Sequence, residues 1–298
     1  MRIASKTIYE RVVSSLSTSY SEMCKAQEVV SSSKRINKLS DDPVGLVTVL
    51  DMRSSLSNID QLSRNISMGN SWLTASESAL GQVNDILTSV KSLTVQMSSA
   101  STGSTERANA AGVVEEDLNQ IISLANSQSG GRYIFSGTDT DNAPFKLNSD
   151  ETQVDYNGND TAFSVKIGAT SNIAVGKVGS EIFGKDWDSS NIFKTLIDLK
   201  TSLKNNDVTG IQEAMGNLDQ HMSKIQDEIS DIGGKSNRMT VKENIIADLK
   251  LNYTSRKSDL EDADVSQAII DLNSKQLVYN AALTSASKVM QKTLVDYL

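Results

Sequence analysis

The sequence predicts a mainly α protein with a nested, elongated architecture. Only two of its 298 residues are proline, against a usual share of about 5%, so that long helices are possible. Near both ends of the chain, apolar residues recur at alternating steps of three and four, the period of a helix that packs against another helix. The centre is rich in Gly, Asn, Asp and Thr instead. We therefore predict paired N- and C-terminal coiled-coil helices, a helical rod layer and a small β-rich central insertion.

The terminal helices carry narrow apolar seams that need a partner helix, from this chain or from another copy. Residues 235–298 contain no glycine or proline and predict one unbroken helix. The alternative is that both ends form ordinary surface helices of a globular domain, but both patterns are longer than is usual for such helices. The predicted assembly seam consists of Val13, Leu16, Tyr20, Met23, Val265, Ile269, Leu272, Tyr279, Leu283, Met290 and Tyr297.

Helix start and stop signals define the predicted rod layer. Asp42 and Pro43 are typical of an N-cap and a first helical position, and a long amphipathic pattern follows them. Gly69 lies off its apolar stripe. We expect the next helix to end at Gly130–Gly131, and a later one to break at Gly233–Gly234.

The central insertion shows the period-two alternation of strands. Phe163, Val165 and Ile167 alternate with polar residues, and Ile173 and Val175 do so again. We predict a small module of hairpins here. The chain then divides into a terminal coiled-coil domain of residues 1–40 with 265–298, a helical rod domain of 41–137 with 186–264, and a β-rich outer domain of 138–185.

Composition excludes several classes of function. The chain has 29 basic and 37 acidic residues, a net charge of −8, which argues against nucleic acid as a partner. The single cysteine, Cys24, permits no disulfide framework or zinc set within one chain. We expect no membrane insertion, because no apolar stretch is long enough. The N-terminus lacks a secretory h-region, so we expect a cytosolic protein or export with the N-terminus intact.

No residue pattern indicates catalysis. Glu261, Asp262 and Asp264 form a carboxylate cluster, but on a continuous helix they would point in different directions, and we interpret them as a solvated acidic face. A shift in the seam phase at this point indicates a layer boundary or hinge. His221 is the only histidine and is interpreted as a flanking helix residue. We therefore predict no enzyme, no cofactor, no metal and no catalytic residue.

Three motifs in order resemble the flagellin superfamily. They are SSSKRINKLSDDPVGL at 31–46, GGRYIFSGTDTDNAPF at 130–145 and the segment from Leu260 to Leu298. The second motif is similar to the FlgL branch of hook-associated proteins within that family. The residues that carry the signature are Arg35, Asn37, Asp41, Asp42, Pro43, Gly131, Phe135, Ser136, Gly137, Glu261 and Asp262.

The resemblance implies a structural subunit of the bacterial flagellum. It would join the hook, through hook-associated protein FlgK, to the flagellin filament by self-assembly of its terminal helices into a ring or helical lattice. It would be secreted by the flagellar type III apparatus, and an export chaperone of the FlgN type would bind its C-terminal helix. Two alternatives remain open: a minor flagellin of the filament, and a secreted coiled-coil adhesin or translocator.

Overall fold

Helices dominate the structure. The computed structural model describes residues 2–185, 187 and 189–295, with side-chain surroundings from residue 6 to residue 288 within that range. The helices described are α1 (Arg2–Ser32), α2 (Pro43–Met97), α3 (Ser104–Ala125), α4 (Gly179–Phe183), α5 (Ile192–Lys204), α6 (Val208–Glu261) and α7 (Val265–Val295). The strands are β1 (Gln128–Ser129), β2 (Arg132–Tyr133), β3 (Phe145–Leu147), β4 (Val154–Tyr156), β5 (Ser164–Lys166) and β6 (Asn172–Ala174).

The strands confirm the small β-rich insertion. They pair as antiparallel hairpins, β1 with β2, β3 with β4 and β5 with β6. The alternation predicted around β5 and β6 is correct, because Val165, Ile167, Ile173 and Val175 are all buried. With α1 against α7 and the hairpins between α3 and α4, the mainly α class with paired terminal helices is confirmed.

The chain folds into two compact units, each built from both halves of the sequence. The first unit comprises Met1–Ile59 and Asp248–Leu298, and the second comprises Asp60–Ala247. The first contains α1, α7, the start of α2 and the end of α6. The second contains α3, α4, α5, the hairpins and the remaining parts of α2 and α6. The finer division into three domains stays a prediction.

The second unit is held together by apolar faces of its helices. In α3 the three- and four-residue spacing predicts one apolar face, and this prediction is correct, since its members are all buried: Ala111, Val114, Leu118, Ile121 and Ala125. On α6 the three- and four-residue spacing predicts a stripe of Val208, Ile211, Met215, Leu218, Met222, Ile225, Ile229 and Ile232. Ile211, Leu218, Ile225 and Ile232 are buried as predicted, but Ala214 and His221 are buried in place of Met215 and Met222. The buried positions of α6 in this unit are Ile211, Ala214, Leu218, His221, Ile225, Ile232, Met239 and Ile246. They step by three and four as far as Ile225 and by seven from there to Ile246, so that all of them fit one heptad repeat.

The predicted 64-residue C-terminal helix is wrong. Helix α6 ends at Glu261 and α7 begins at Val265, so the shift in apolar phase is a break in the helix. Asp264 caps the new helix, because its Oδ1 accepts hydrogen bonds from the amides of Ser266 at 2.9 Å and Gln267 at 3.2 Å. A side chain that satisfies otherwise unpaired amides of a first turn favours a helix start at that residue.

Glycine positions account for three further corrections. Gly233–Gly234 lie inside α6, where packing of the flanking turns overrides a cost of about 1 kcal/mol per glycine. Gly69 is on the packed face of α2, not off it, since an added Cβ would approach Met239 Cε to 2.5 Å. Gly130–Gly131 do not end α3, which stops at Ala125. They turn the β1–β2 hairpin with φ of 59° and 81°, as a two-residue hairpin turn requires.

His221 belongs to the core and does not flank it. Its side chain is 2% exposed, and its Nε2 lies 2.9 Å from Oγ1 of Thr195 on α5. Burial, and to a smaller extent the charge of Lys224, lowers the pKa of His221 to about 4. The neutral imidazole is therefore the form that the folded second unit accommodates.

We predict that the second unit loses stability as the pH falls from about 6.5 to about 4. Between these values the unfolded His221 takes up a proton that the folded one does not, at a cost on the order of 3 kcal/mol. His221→Gln removes this contribution. Urea unfolding followed by tryptophan fluorescence should show a smaller acid-induced loss for the variant than for the wild type. Parallel pH profiles of the two proteins would contradict the prediction.

Candidate functional site

The terminal helices α1 and α7 pack together along a heptad face. Its residues are half-buried or buried and lie three and four apart: Val12, Leu16, Ser19, Met23, Ala26 and Val30 on α1, and Ala268, Leu272, Lys275, Tyr279, Ala282 and Ala286 on α7. The rings of Tyr20 and Tyr279 lie 5.6 Å apart. Lys275 Nζ lies 2.8 Å from Glu22 Oε2 at the margin of this face.

A second row of apolar side chains on the same two helices is exposed. These residues are 40–71% exposed: Ile8, Tyr9, Val13, Tyr20, Val265, Ile269, Ile270, Leu277, Val278 and Leu283. So many large apolar side chains on one helix pair are typical of an interaction surface. The helix pair therefore covers one apolar face and leaves further large apolar side chains exposed around it.

The residues of the predicted assembly seam are divided between these two faces. Leu16, Met23, Leu272 and Tyr279 are half-buried between α1 and α7. The predicted residues that are exposed instead are Val13, Tyr20, Val265, Ile269 and Leu283. Met290 lies in α7 beyond the described side chains, and Tyr297 lies outside the described residues.

The loops at the inner ends of α1 and α7 are joined by backbone hydrogen bonds. Lys34 and Asp262 form an antiparallel bridge. The amide of Arg35 donates to the carbonyl of Glu261 at 2.7 Å, and the amide of Ala263 donates to the carbonyl of Ser33 at 3.0 Å. We call these joined loops, with the ion pairs of Glu261, the clasp. The Arg35 guanidinium adds a bond from Nη2 to the carbonyl of Leu260 at 2.8 Å.

Glu261 lies at the centre of the clasp. Its side chain is 1% exposed, and Oε1 contacts Lys34 Nζ at 2.6 Å and Arg53 Nη2 at 2.5 Å. Burial opposes ionisation, but the hydrogen bonds and charges of Lys34 and Arg53 outweigh it and hold the pKa of Glu261 below its usual value. The expectation of a solvated acidic face is thus wrong for Glu261, because its carboxylate is buried against Lys34 and Arg53.

The other two acidic residues have local roles. Asp262 accepts a hydrogen bond from Ser258 Oγ, and Asp264 caps α7. Within the described part of the chain, no group of three or more His, Cys, Asp or Glu residues is arranged to hold a metal ion.

The remaining signature residues of the first unit shape the loop before α2. Asp41 Oδ2 accepts from the amides of Asn37 at 3.2 Å and Lys38 at 2.9 Å, and these bonds, with that of Lys38 the strongest, lower the pKa of Asp41. Asp42 Oδ1 accepts from the amide of Gly45 at 2.8 Å. Pro43 is the first residue of α2, so the predicted N-cap is confirmed.

The central motif lies in the second unit and has a packing role. Phe135 is fully buried, with its ring 5.5 Å from that of Phe183. Ser136 Oγ donates to the carbonyl of Tyr133 at 3.1 Å. Gly137 has a φ of +71°, and an added Cβ would lie 2.2 Å from the carbonyl oxygen of Asn159. Glycine alone fits this position.

Two family models match the two ends of the chain. The bacterial flagellin N-terminal helical region matches residues 3–140, and the bacterial flagellin C-terminal helical region matches residues 215–298. The chain belongs to the flagellin family. The signature residues of the clasp and of the central motif lie within these two matched regions. As a member of this family, it is a structural subunit associated with the bacterial flagellum, and not an enzyme.

Individual relatives align over nearly the whole chain. Flagellar hook-associated protein 3 of Salmonella typhimurium is 24% identical over 97% of this chain and 95% of its own length. Flagellin of Bacillus subtilis is 23% identical over 98% of this chain and 97% of its own length. In both comparisons the alignment covers nearly the whole of each chain.

Solved structures confirm the fold. A flagellar hook-associated protein from Vibrio parahaemolyticus superposes with a TM-score of 0.68 and 22% identity, over 74% of this chain and all of that one. FlgL of Bacillus cereus superposes with a TM-score of 0.59 and 22% identity, over 68% of this chain and 97% of that one.

Sequence patterns did not reveal Arg53 and Lys34 as partners of Glu261. The expectation of a solvated Glu261 implied no cation partner, and no local pattern distinguishes Lys34 or Arg53 among the 29 basic residues. Both partners are distant in sequence, Arg53 by 208 positions.

Among the described residues, no helix is both long and apolar enough to cross a membrane.

We predict that Gly137→Ala destabilises the second unit far more than Gly131→Ala. Both glycines have positive φ, which costs another residue about 1–2 kcal/mol. An added Cβ at Gly137 would also overlap the carbonyl oxygen of Asn159, whereas one at Gly131 would face open space. This overlap adds about 1–3 kcal/mol to the loss of stability in Gly137→Ala. Thermal unfolding of the two variants measures the difference. Equal losses at the two positions would show that the approach to Asn159 has no energetic weight.

Proposed function

We propose that this chain is the subunit that joins the hook to the flagellin filament. In this role it assembles through the helix pair α1–α7, with hook-associated protein FlgK on one side and flagellin on the other. The observation that carries the proposal is the exposed apolar row on that pair, which a lone subunit leaves in water. The alignment with hook-associated protein 3 over nearly the whole chain supports the junction role.

We also propose how the subunit reaches the junction between hook and filament. The chain is exported by the flagellar type III apparatus without cleavage, and a FlgN-type chaperone covers α7 beforehand. Apolar residues such as Leu277, at 71% exposure, and Ile270, at 61%, lie on an amphipathic helix of the kind that docks in a groove. In the assembled flagellum the same helices act as a coiled coil that contacts neighbouring copies.

A minor flagellin is the second candidate, because flagellin of Bacillus subtilis aligns over as much of the chain as hook-associated protein 3 does. Electron microscopy of a deletion strain separates the two. Under the junction proposal, cells keep intact hooks, lack filaments and release flagellin into the medium. Filaments of normal length on the deletion strain would favour the minor flagellin. A secreted adhesin or translocator has no support from the two flagellin models.

We predict that Leu277→Asp lowers incorporation into flagella without unfolding the subunit. The side chain is too exposed to stabilise the isolated chain, but an unpaired carboxylate in a contact between copies costs several kcal/mol. Incorporation should fall at least about tenfold, which corresponds to 1.4 kcal/mol. Quantitative immunoblotting of purified flagella against the secreted fraction measures it.

Asn119→Asp is the matched control for this variant, since it adds the same charge at an exposed position of α3. It should incorporate normally. Normal incorporation of Leu277→Asp as well would argue against α7 as the assembly surface.

A further inference from the structure

Five asparagines of this chain precede a glycine or a serine, a context in which an asparagine can modify itself. The backbone amide of the next residue can attack the side-chain carbonyl carbon, and the reaction is fast because both groups belong to one chain. A following glycine favours the attack most, since no Cβ hinders it. The five are Asn70, Asn126, Asn148, Asn157 and Asn273, of which Asn157 alone precedes a glycine.

Four of the five asparagines are restrained in the structure. Asn70 and Asn273 lie inside α2 and α7, where the amide of the next residue is fixed in the helical hydrogen-bond ladder. The side chain of Asn126 accepts from the amide of Phe145 at 2.9 Å and donates to its carbonyl at 2.8 Å. The Oδ1 of Asn148 accepts from two backbone amides, at 2.8 and 3.1 Å. These side chains are held away from the amide that follows them.

Asn157 is free of such restraints. It directly follows β4 and is exposed. Within the part of the chain that the structure describes, its side chain makes no hydrogen bond, and neither does the amide of Gly158. Both reacting groups are therefore available at the one asparagine whose successor is glycine.

We propose that Asn157 and Gly158 form a self-modification site. The amide nitrogen of Gly158 bonds to Cγ of Asn157, and the side-chain nitrogen leaves as ammonia with the proton of the attacking amide. Water then opens the succinimide ring at either carbonyl and returns a proton to the ring nitrogen. The product is aspartate or isoaspartate at position 157, with one added negative charge. Water is the co-reactant, and nothing is oxidised or reduced.

The isoaspartate product lengthens a stretch of backbone that is fixed at both ends. The amide of Asn157 donates to the carbonyl of Pro144 at 2.7 Å, and the amide of Asn159 donates to the carbonyl of Ser136 at 3.1 Å. Isoaspartate adds one methylene to the main chain between these two donors. The carbonyl of Asn159 also packs closely against Gly137, so the added length has little room. The modification therefore weakens the second unit at this loop.

This inference goes beyond the proposed function and does not depend on the position of the subunit in the flagellum. Peptide mapping by mass spectrometry tests the site in the full-length protein. One sample is aged folded and another unfolded in guanidinium chloride, both at mildly alkaline pH, which promotes attack by the amide. The ratio of the two rates is the protection that folding gives to each asparagine, and it cancels the effect of the residue that follows.

We expect the protection of Asn157 to be at least about tenfold smaller than that of Asn126 or Asn148, which corresponds to about 1.4 kcal/mol in the barrier. Asn157→Gln is the matched variant, because its longer side chain would have to close a larger ring. It should gain no product at position 157. Equal protection at the three asparagines, or no product at position 157 in the folded wild type, would overturn the proposal.

Thermal unfolding of the aged protein tests the effect on the loop. The fraction that contains isoaspartate, separated by chromatography, should unfold about 2–4 °C below the fresh protein, as loss of one backbone hydrogen bond implies. Asn157→Asp carries the new charge without the added methylene and should unfold like the fresh wild type. An isoaspartate fraction as stable as the fresh protein would show that the loop absorbs the longer backbone, against this inference. Neither result affects the incorporation test of Leu277→Asp.

Discussion

Pairing between segments from opposite ends of the chain is the constraint on which this structure depends. Helix α1 has an apolar face too narrow to fold alone, and α7 is in the same position, so each covers the other. An isolated amphipathic helix gains most of its stability from such packing and little from intrinsic propensity. The order of the elements along the chain is consistent with this pairing, because the segments of the second unit lie in sequence between the two segments of the first.

The clasp shows how charge can add selectivity to a pairing of apolar helix faces. A buried ion pair often adds little net stability, since both charges lose their hydration. Its value here is in selecting partners: a buried Glu261 tolerates only an arrangement that brings Lys34 and Arg53 to it. In the proposed assembly, the exposed apolar residues of α1 and α7 contact other molecules.

Helix ends were predictable where a side chain satisfies backbone groups locally. Asp42 and Pro43 mark the start of α2 because the cap acts within four residues. Predictions failed where glycine was taken as a stop. Gly233–Gly234 continue α6 because the helix is held by packing on both sides, while Gly130–Gly131 serve a hairpin. The partners of Glu261 were beyond prediction, since no local rule relates residues more than 200 positions apart.

The sequence by itself determined the helical class, the pairing of the chain ends, the central hairpins and the buried face of α3. Heptad spacing, caps and alternation are local properties, and each restricts the backbone directly. Only the tertiary structure decided which neighbouring residue of α6 faces the core, Ala214 and His221 in place of Met215 and Met222. Adjacent heptad phases differ by one residue, or about 100° around the helix. The partner surface selects between them, and that surface exists only in the folded chain.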